Sequence, residues 1–242
     1  MTTATEFAPG LAIQGFTAPL SLSQFKLIAF DMDSTLINIE CVDEIADAVG
    51  RKAEVAAITE AAMRGEITDF KDSLRRRLAL LKGVTLADME RVYTERLRIN
   101  PGAAELIAAC QKAGMKVLLV SGGFTFFADR VKARLNIDFA RSNQLEIING
   151  ELTGGLIQQS WGDICDGAEK RRTLLEVASL LGIAPHECIA MGDGANDLPM
   201  MGVCTESGGL SVAYHAKPKV REQAMVAIHT GGLDRLLEVV KP

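Results

Sequence analysis

Two acids, Asp31 and Asp33, stand one residue apart where the apolar run of "IAFDMDSTLIN" (residues 28–38) ends. Carboxylates this close repel, and at the mouth of a buried strand a cation or a reaction normally has to offset that cost. Two more polar clusters follow apolar runs in the same way. Ser121-Gly122-Gly123 closes "KVLLVSGG" (116–123), with a hydroxyl and backbone N–H groups suited to an anion. Asp193, Asn196 and Asp197 of "GDGAND" follow "CIAM". Lys170 sits early in a helix, in register with the apolar Leu174, Val177 and Leu181. A cation in a first helical turn opposes the macrodipole and is tolerable beside an anion. Acids for a metal, donors for an anion and a candidate nucleophile together make the inventory for phosphoryl transfer. Taken singly, each cluster also has an ordinary structural role: a D-x-D as a solvated turn, Ser121 as an N-cap, Lys170 with Arg171-Arg172 as a solvated face.

The order of elements is what brings these clusters together. Apolar runs at 26–33, 116–123, 187–194, 209–215 and 224–230 alternate with helical stretches, the pattern of a parallel sheet covered by helices on both faces. In such an α/β, Rossmann-like sheet, ligands bind beyond the carboxyl ends of the strands, where all the clusters fall. Lys170 reaches that edge because its helix runs back toward the strand beginning near Glu187 and so starts on the carboxyl side. Residues 40–99 carry no strand signal and read as an inserted helical cap, with helices near 42–49, 52–64, 69–82 and 86–97. The expected organisation is an N-terminal extension over 1–24, a catalytic core from 25–39 and 100–242, and the cap over 40–99. Residues 143–157 read as a hairpin turned at Asn149-Gly150.

A net charge of −5 without a long basic block argues against a dominant nucleic-acid or membrane-surface role. Five widely spaced cysteines with no C-x-x-C indicate neither a disulfide framework nor a zinc site. The first 25 residues contain no Lys or Arg, and no apolar run reaches the roughly 18 residues of a membrane span. The expectation is a cytoplasmic protein, monomer or homodimer, acting on a small molecule.

"DMDST", "SGG", Lys170 and "GDGAND" resemble the haloacid dehalogenase superfamily, and "DSTLIN" followed by Glu40, with "SLRRR" (73–77), narrows the resemblance to its phosphoserine phosphatases. It extends from about Lys26 to about Val240. The resemblance implies that Asp31 attacks phosphorus, and that Asp33 protonates the departing serine oxygen and then deprotonates water. It implies Mg2+ held by Asp31, the backbone carbonyl of Asp33 and Asp193, with Asp197 supporting through water. Ser121, the Gly122 N–H, Lys170 and Asn196 would hold the phosphoryl group. The implied activity is hydrolysis of O-phosphoserine. Transfer to another amino-acid alcohol, or another small phosphomonoester as substrate, stays open beside it, as does a phosphate-accepting switch.

The cap contributes independently. At about 100° per residue, Phe70, Leu74, Leu78 and Leu81 form one stripe, and Arg77 falls about 20° from Phe70 while Arg75 and Arg76 point away. The resemblance makes Arg77 the guanidinium that grips the substrate carboxylate and Glu40 the partner of its ammonium, with Met63 and Phe70 lining the pocket. Residues 158–169, including the single tryptophan Trp161, follow the family pattern poorly.

Overall fold

The computed structural model describes residues 4–64 and 66–242, and of Met63 only the backbone. In chain order the elements are β1 (Thr5–Ala8), β2 (Leu11–Ile13), β3 (Leu20–Ser21), β4 (Leu27–Phe30), α1 (Cys41–Ala48), α2 (Lys52–Met63), α3 (Phe70–Ala79) and α4 (Leu86–Arg91). Then come α5 (Ala103–Lys112), β5 (Lys116–Phe124), α6 (Thr125–Leu135), β6 (Phe139–Ile148), β7 (Glu151–Ile157), α7 (Gly167–Leu180), β8 (Cys188–Gly192), α8 (Leu198–Ser207), β9 (Leu210–Tyr214), α9 (Pro218–Gln223), β10 (Val226–Ile228), α10 (Leu236–Val239) and β11 (Val240–Lys241).

Nine strands form one sheet in the order β1-β2-β10-β9-β8-β4-β5-β6-β7. From β10 through to β6 neighbouring strands run parallel. Side chains alternate across a strand, and both faces of this sheet are covered, so each run is apolar throughout. Ile28 and Phe30 of β4 join one core with Leu119 and Met191, whereas Leu27 and Ala29 join the other with Leu118 and Ala190.

The five apolar runs are β4, β5, β8, β9 and β10, and the α/β class read from them holds. Two edges differ from the sequence pattern. Residues 5–13 add β2 antiparallel to β10 and β1 antiparallel to β2, with Leu11 fully buried, although their charge-poor sequence shows no strand alternation. The hairpin is longer than 143–157: β6 begins at Phe139, pairs parallel with β5, and continues antiparallel with β7 through Asn149-Gly150, both at positive φ.

Residues 41–96 are helical apart from their connections. Ile45, Val55, Leu74, Leu78 and Met89 from these helices share one core with Ile28 and Phe30, which seats the helices over the carboxyl edge of the sheet on that side. Arg96 ties the last of this segment to α1 through Glu44 at 2.7 Å and Asp47.

Candidate active site

The fold brings the ends of β4, β5, β8 and β9 to one edge, with β4 paired on both sides, Phe30 opposite Leu119 and Met191. Asp31, the first residue past β4, donates its N–H to Met191 O at 2.9 Å and is 4% exposed. The chain then kinks sharply over Met32–Leu36, with Ser34 at φ 58, a left-handed conformation uncommon outside glycine. That kink turns Asp33 back toward the start of α1. There the Cys41 N–H donates to Asp33 Oδ2 at 3.2 Å, and the Cys41 thiol to Oδ1 at 3.1 Å.

Lys170, fully buried in the first turn of α7, donates to Asp31 and, at 2.6 Å, to Asp197 Oδ1. Asp166 caps that helix by accepting the Glu169 N–H at 2.8 Å. Asp197 uses its other oxygen to accept the N–H groups of Asp193 (3.1 Å) and Gly194 (2.9 Å), which folds the loop after β8. Ser121 is fully buried, and its Oγ accepts the Gly123 N–H at 2.8 Å. A Cβ on Gly123 would stand 3.0 Å from that Oγ and 3.2 Å from Asp33 Oδ2, so a bare backbone is what fits between them.

Carboxylate oxygens of Asp31, Asp193 and Asp197 lie within 4.8 Å of one another. Three ionised carboxylates would outnumber the Lys170 ammonium that contacts two of them and the Lys217 ammonium that acts on Asp193. The electrostatics follow. Burial raises the Asp31 carboxyl, helped by Asp197 and Asp193 and opposed by Lys170. Burial, Asp197 and Glu40 push Asp193 up to about 7. Burial and Glu40 push Asp33 up to about 7 against the two Cys41 hydrogen bonds. Burial alone would lower the Lys170 ammonium, but Asp197 and Asp31 outweigh it and raise it. A hard dication suits an all-oxygen donor set carrying this charge.

A cleft of about 630 Å³ lies between this edge and the helices α1–α3. Glu40, exposed at the N-terminus of α1, accepts the Ser34 hydroxyl at 2.7 Å. Phe70 opens α3, its ring edge 3.3 Å from where a Cβ on Gly122 would be. Arg77 lines the cleft, while Arg75 and Arg76 are exposed and bound to Asp163 (2.6 Å) and Asp72 (2.9 Å). Asn196 lines the floor beside Gly194. Met63 ends α2, and its side chain lies outside the described residues. Asp31, Asp33, Ser121, Gly122, Asp193 and Asn196 line this cleft with Glu40, Phe70 and Arg77, and Lys170 and Asp197 stand directly behind Asp31.

Asp43 and Lys217 are among the other residues that line the cleft. Asp43 is one helical turn from Glu40, a spacing that puts both on one face of α1 and was visible in the sequence. Lys217 follows β9 at the same edge, and its N–H donates to Asp193 O at 3.2 Å. Trp161 packs against the second core with the Arg141 guanidinium 5.4 Å from its ring, on the path to α7.

The model of the haloacid dehalogenase-like hydrolases matches residues 28–202. The chain belongs to that family. Within it the chain groups with the phosphoserine phosphatases: the one from Polaromonas sp. is 70% identical over 237 residues, covering 98% of this chain and 99% of its own. A solved phospho-aspartyl intermediate analogue of phosphoserine phosphatase superposes with a TM-score of 0.80 at 37% identity, over 90% of this chain and 99% of that one. A substrate-bound phosphoserine phosphatase superposes equally, with a TM-score of 0.80 at 36% identity, 90% of this chain and 99% of that one. Members of the family use a divalent metal, and the acidic cluster here is suited to one. Among the described residues no helix is long and apolar enough to cross a membrane.

Proposed function

We propose that this chain hydrolyses O-phospho-L-serine to L-serine and phosphate through a phosphoaspartyl intermediate on Asp31, with Mg2+ as cofactor. The observation that carries this reading is the pairing of two acids one residue apart in different environments. Asp31 is buried against an ammonium, whereas Asp33 is held by Cys41 and set near 7.

Lys170 favours the ionised form of Asp31, which attacks phosphorus. An Asp33 carboxyl set near 7 is partly protonated at neutral pH, so it can give its proton to the departing seryl oxygen. The seryl C–O bond stays intact and the P–O bond breaks. Asp33, now a carboxylate, takes a proton from the water that attacks the phosphoaspartate, and Asp31 leaves as a carboxylate. Ser121, the Gly122 N–H, Asn196 and Lys170 orient the phosphoryl oxygens. Asp31, Asp193 and the Asp33 carbonyl would hold the Mg2+, which neutralises phosphoryl charge when bound. Asp197, engaged with Lys170 and two backbone N–H groups, holds the loop in place.

Residues 40–99 act as the cap that selects the substrate. Arg77 binds the carboxylate of phosphoserine and Glu40 its ammonium, with Phe70 as an apolar wall. Closed over the edge, the cap excludes water from the first step.

The test is phosphate release from L-phosphoserine beside phosphothreonine, a sugar phosphate and an aryl phosphate, with Mg2+ or EDTA. A Mg2+-dependent preference for phosphoserine supports the reading. Activity on the other esters but not on phosphoserine overturns the substrate assignment. Phosphate release that falls as an added amino-acid alcohol is phosphorylated points to transfer.

A further inference from the structure

The segment Ser121-Gly122-Gly123 does not follow the ladder of its own strand. Val120 pairs with Arg141 and Phe124 with Asn143, so three residues of β5 bulge out opposite the single Ser142 of β6. A bulge leaves backbone groups without ladder partners, and buried ones must find others. The Gly122 carbonyl finds the side chain of Asn143, whose Nδ2 donates to it at 2.7 Å. The other end of the same amide, Oδ1, accepts the Cys165 N–H at 2.8 Å. Asn143 is 1% exposed. Its orientation is set by chemistry, since a carbonyl needs a donor and an N–H needs an acceptor.

Each bond leads to one arm of the phosphate site. The Gly122 carbonyl and the Gly123 N–H belong to one peptide plane, and that N–H donates to Ser121 Oγ at 2.8 Å. Asn143 therefore fixes the plane from one end and Ser121 from the other. With a lone pair of its oxygen engaged, the Ser121 hydroxyl keeps its proton to donate into the cleft. On the other side, Cys165 immediately precedes Asp166, the N-cap of α7, and α7 carries Lys170.

We propose that Asn143 is a positioning residue that couples the two phosphate-holding arms, setting the Ser121 hydroxyl and the start of the Lys170 helix at a fixed separation. The proposal rests on the reading of Ser121 and Lys170 as phosphate-holding groups. Asparagine is the side chain that does this at neutral charge. An isosteric carboxylate keeps the bond to the Cys165 N–H but sets an oxygen against the Gly122 carbonyl.

Three variants test it: Asn143→Asp, Asn143→Ser and, for the underlying reading, Ser121→Ala. The affinity for inorganic phosphate is measured by calorimetry with Mg2+, alongside thermal stability and kcat on phosphoserine and on an aryl phosphate. The expected result for Asn143→Asp is a phosphate affinity weaker by about tenfold or more, with kcat reduced by a similar factor on both esters. Asn143→Ser, which keeps one hydrogen-bonding group, falls between. Should Asn143→Asp fail to fold, Asn143→Ser decides. Lower thermal stability with unchanged phosphate affinity in the folded variants would reduce Asn143 to a structural role and overturn the proposal. Weaker binding in Ser121→Ala with none in the Asn143 variants overturns the coupling while leaving the phosphate site standing. Unchanged binding in Ser121→Ala overturns the reading beneath it.

Discussion

Arg77 and Asp43 line the same cleft, and each brings to it a buried polar atom, Nε and Oδ1, without a hydrogen-bond partner among the described residues. Burial lowers the Arg77 guanidinium and raises the Asp43 carboxyl, and each charge steadies the other. Two half-satisfied groups of opposite charge fit a site that a zwitterionic substrate completes. Arg77→Ala is expected to lower kcat/KM for phosphoserine by about 30-fold or more, the scale of removing one partner of a buried charge pair, while sparing an aryl phosphate. Steady-state kinetics on both substrates check this, and equal losses would remove Arg77 from the selecting role. Arg77→Lys keeps charge but loses the planar fork, so it is expected to restore only part of the loss.

Asp33→Asn is expected to fold and bind Mg2+ but to lose about 10²–10⁴-fold in kcat, the usual share of general acid–base catalysis. Calorimetric Mg2+ binding and turnover on one preparation check both parts. Unchanged turnover contradicts the proton-shuttle assignment.

Cys41 holds Asp33 by a thiol and an N–H, and both bonds pull its carboxyl down from where burial would put it. Cys41→Ala removes the thiol bond alone. The Asp33 carboxyl should rise further, so the basic form is reached at higher pH and the pH–rate profile for phosphoserine moves upward. A profile that stays in place would show that the thiol does not act on Asp33.

The metal-free protein should depend on pH in a defined direction. Asp33 and Asp193 have carboxyls raised from 3.8 to about 7 in the folded chain. A raised carboxyl contributes stability that is full below the unfolded value and lost as pH rises through the folded one. Thermal stability in EDTA is therefore expected to fall between about pH 4 and pH 8. Mg2+ should stabilise more at pH 8 than at pH 5, because it binds the ionised carboxylates. Thermal unfolding across that range with and without Mg2+ checks this, and a Mg2+ increment independent of pH would count against it.

Much of this site was legible because its residues mark strand ends. Asp31, Ser121 and Asp193 each break an apolar run, and a parallel sheet sends those breaks to one edge. Arg77 was legible from helical periodicity alone, which separated it from two neighbouring arginines. Asn143 was not, because it lies mid-strand among polar residues, and its value depends on a bulge in the neighbouring strand that no local pattern announces. Strands β1 and β2 were hidden for a related reason: short edge strands draw their stability from a neighbour far along the chain, here β10. Cys41 follows Glu40 in sequence, but its contact with Asp33 depends on the kink at Ser34.

The most direct measurement of the central claim is the fate of the phosphoryl group at Asp31. Enzyme mixed with L-phosphoserine and Mg2+ is quenched rapidly, reduced with borohydride and sequenced by mass spectrometry, for the natural chain and for Asp31→Asn. Attack by Asp31 predicts homoserine at position 31 of the natural chain, produced by reduction of the acyl phosphate, and neither homoserine nor phosphate release in the variant. Phosphate release with position 31 unmodified, or turnover retained by Asp31→Asn, would contradict it.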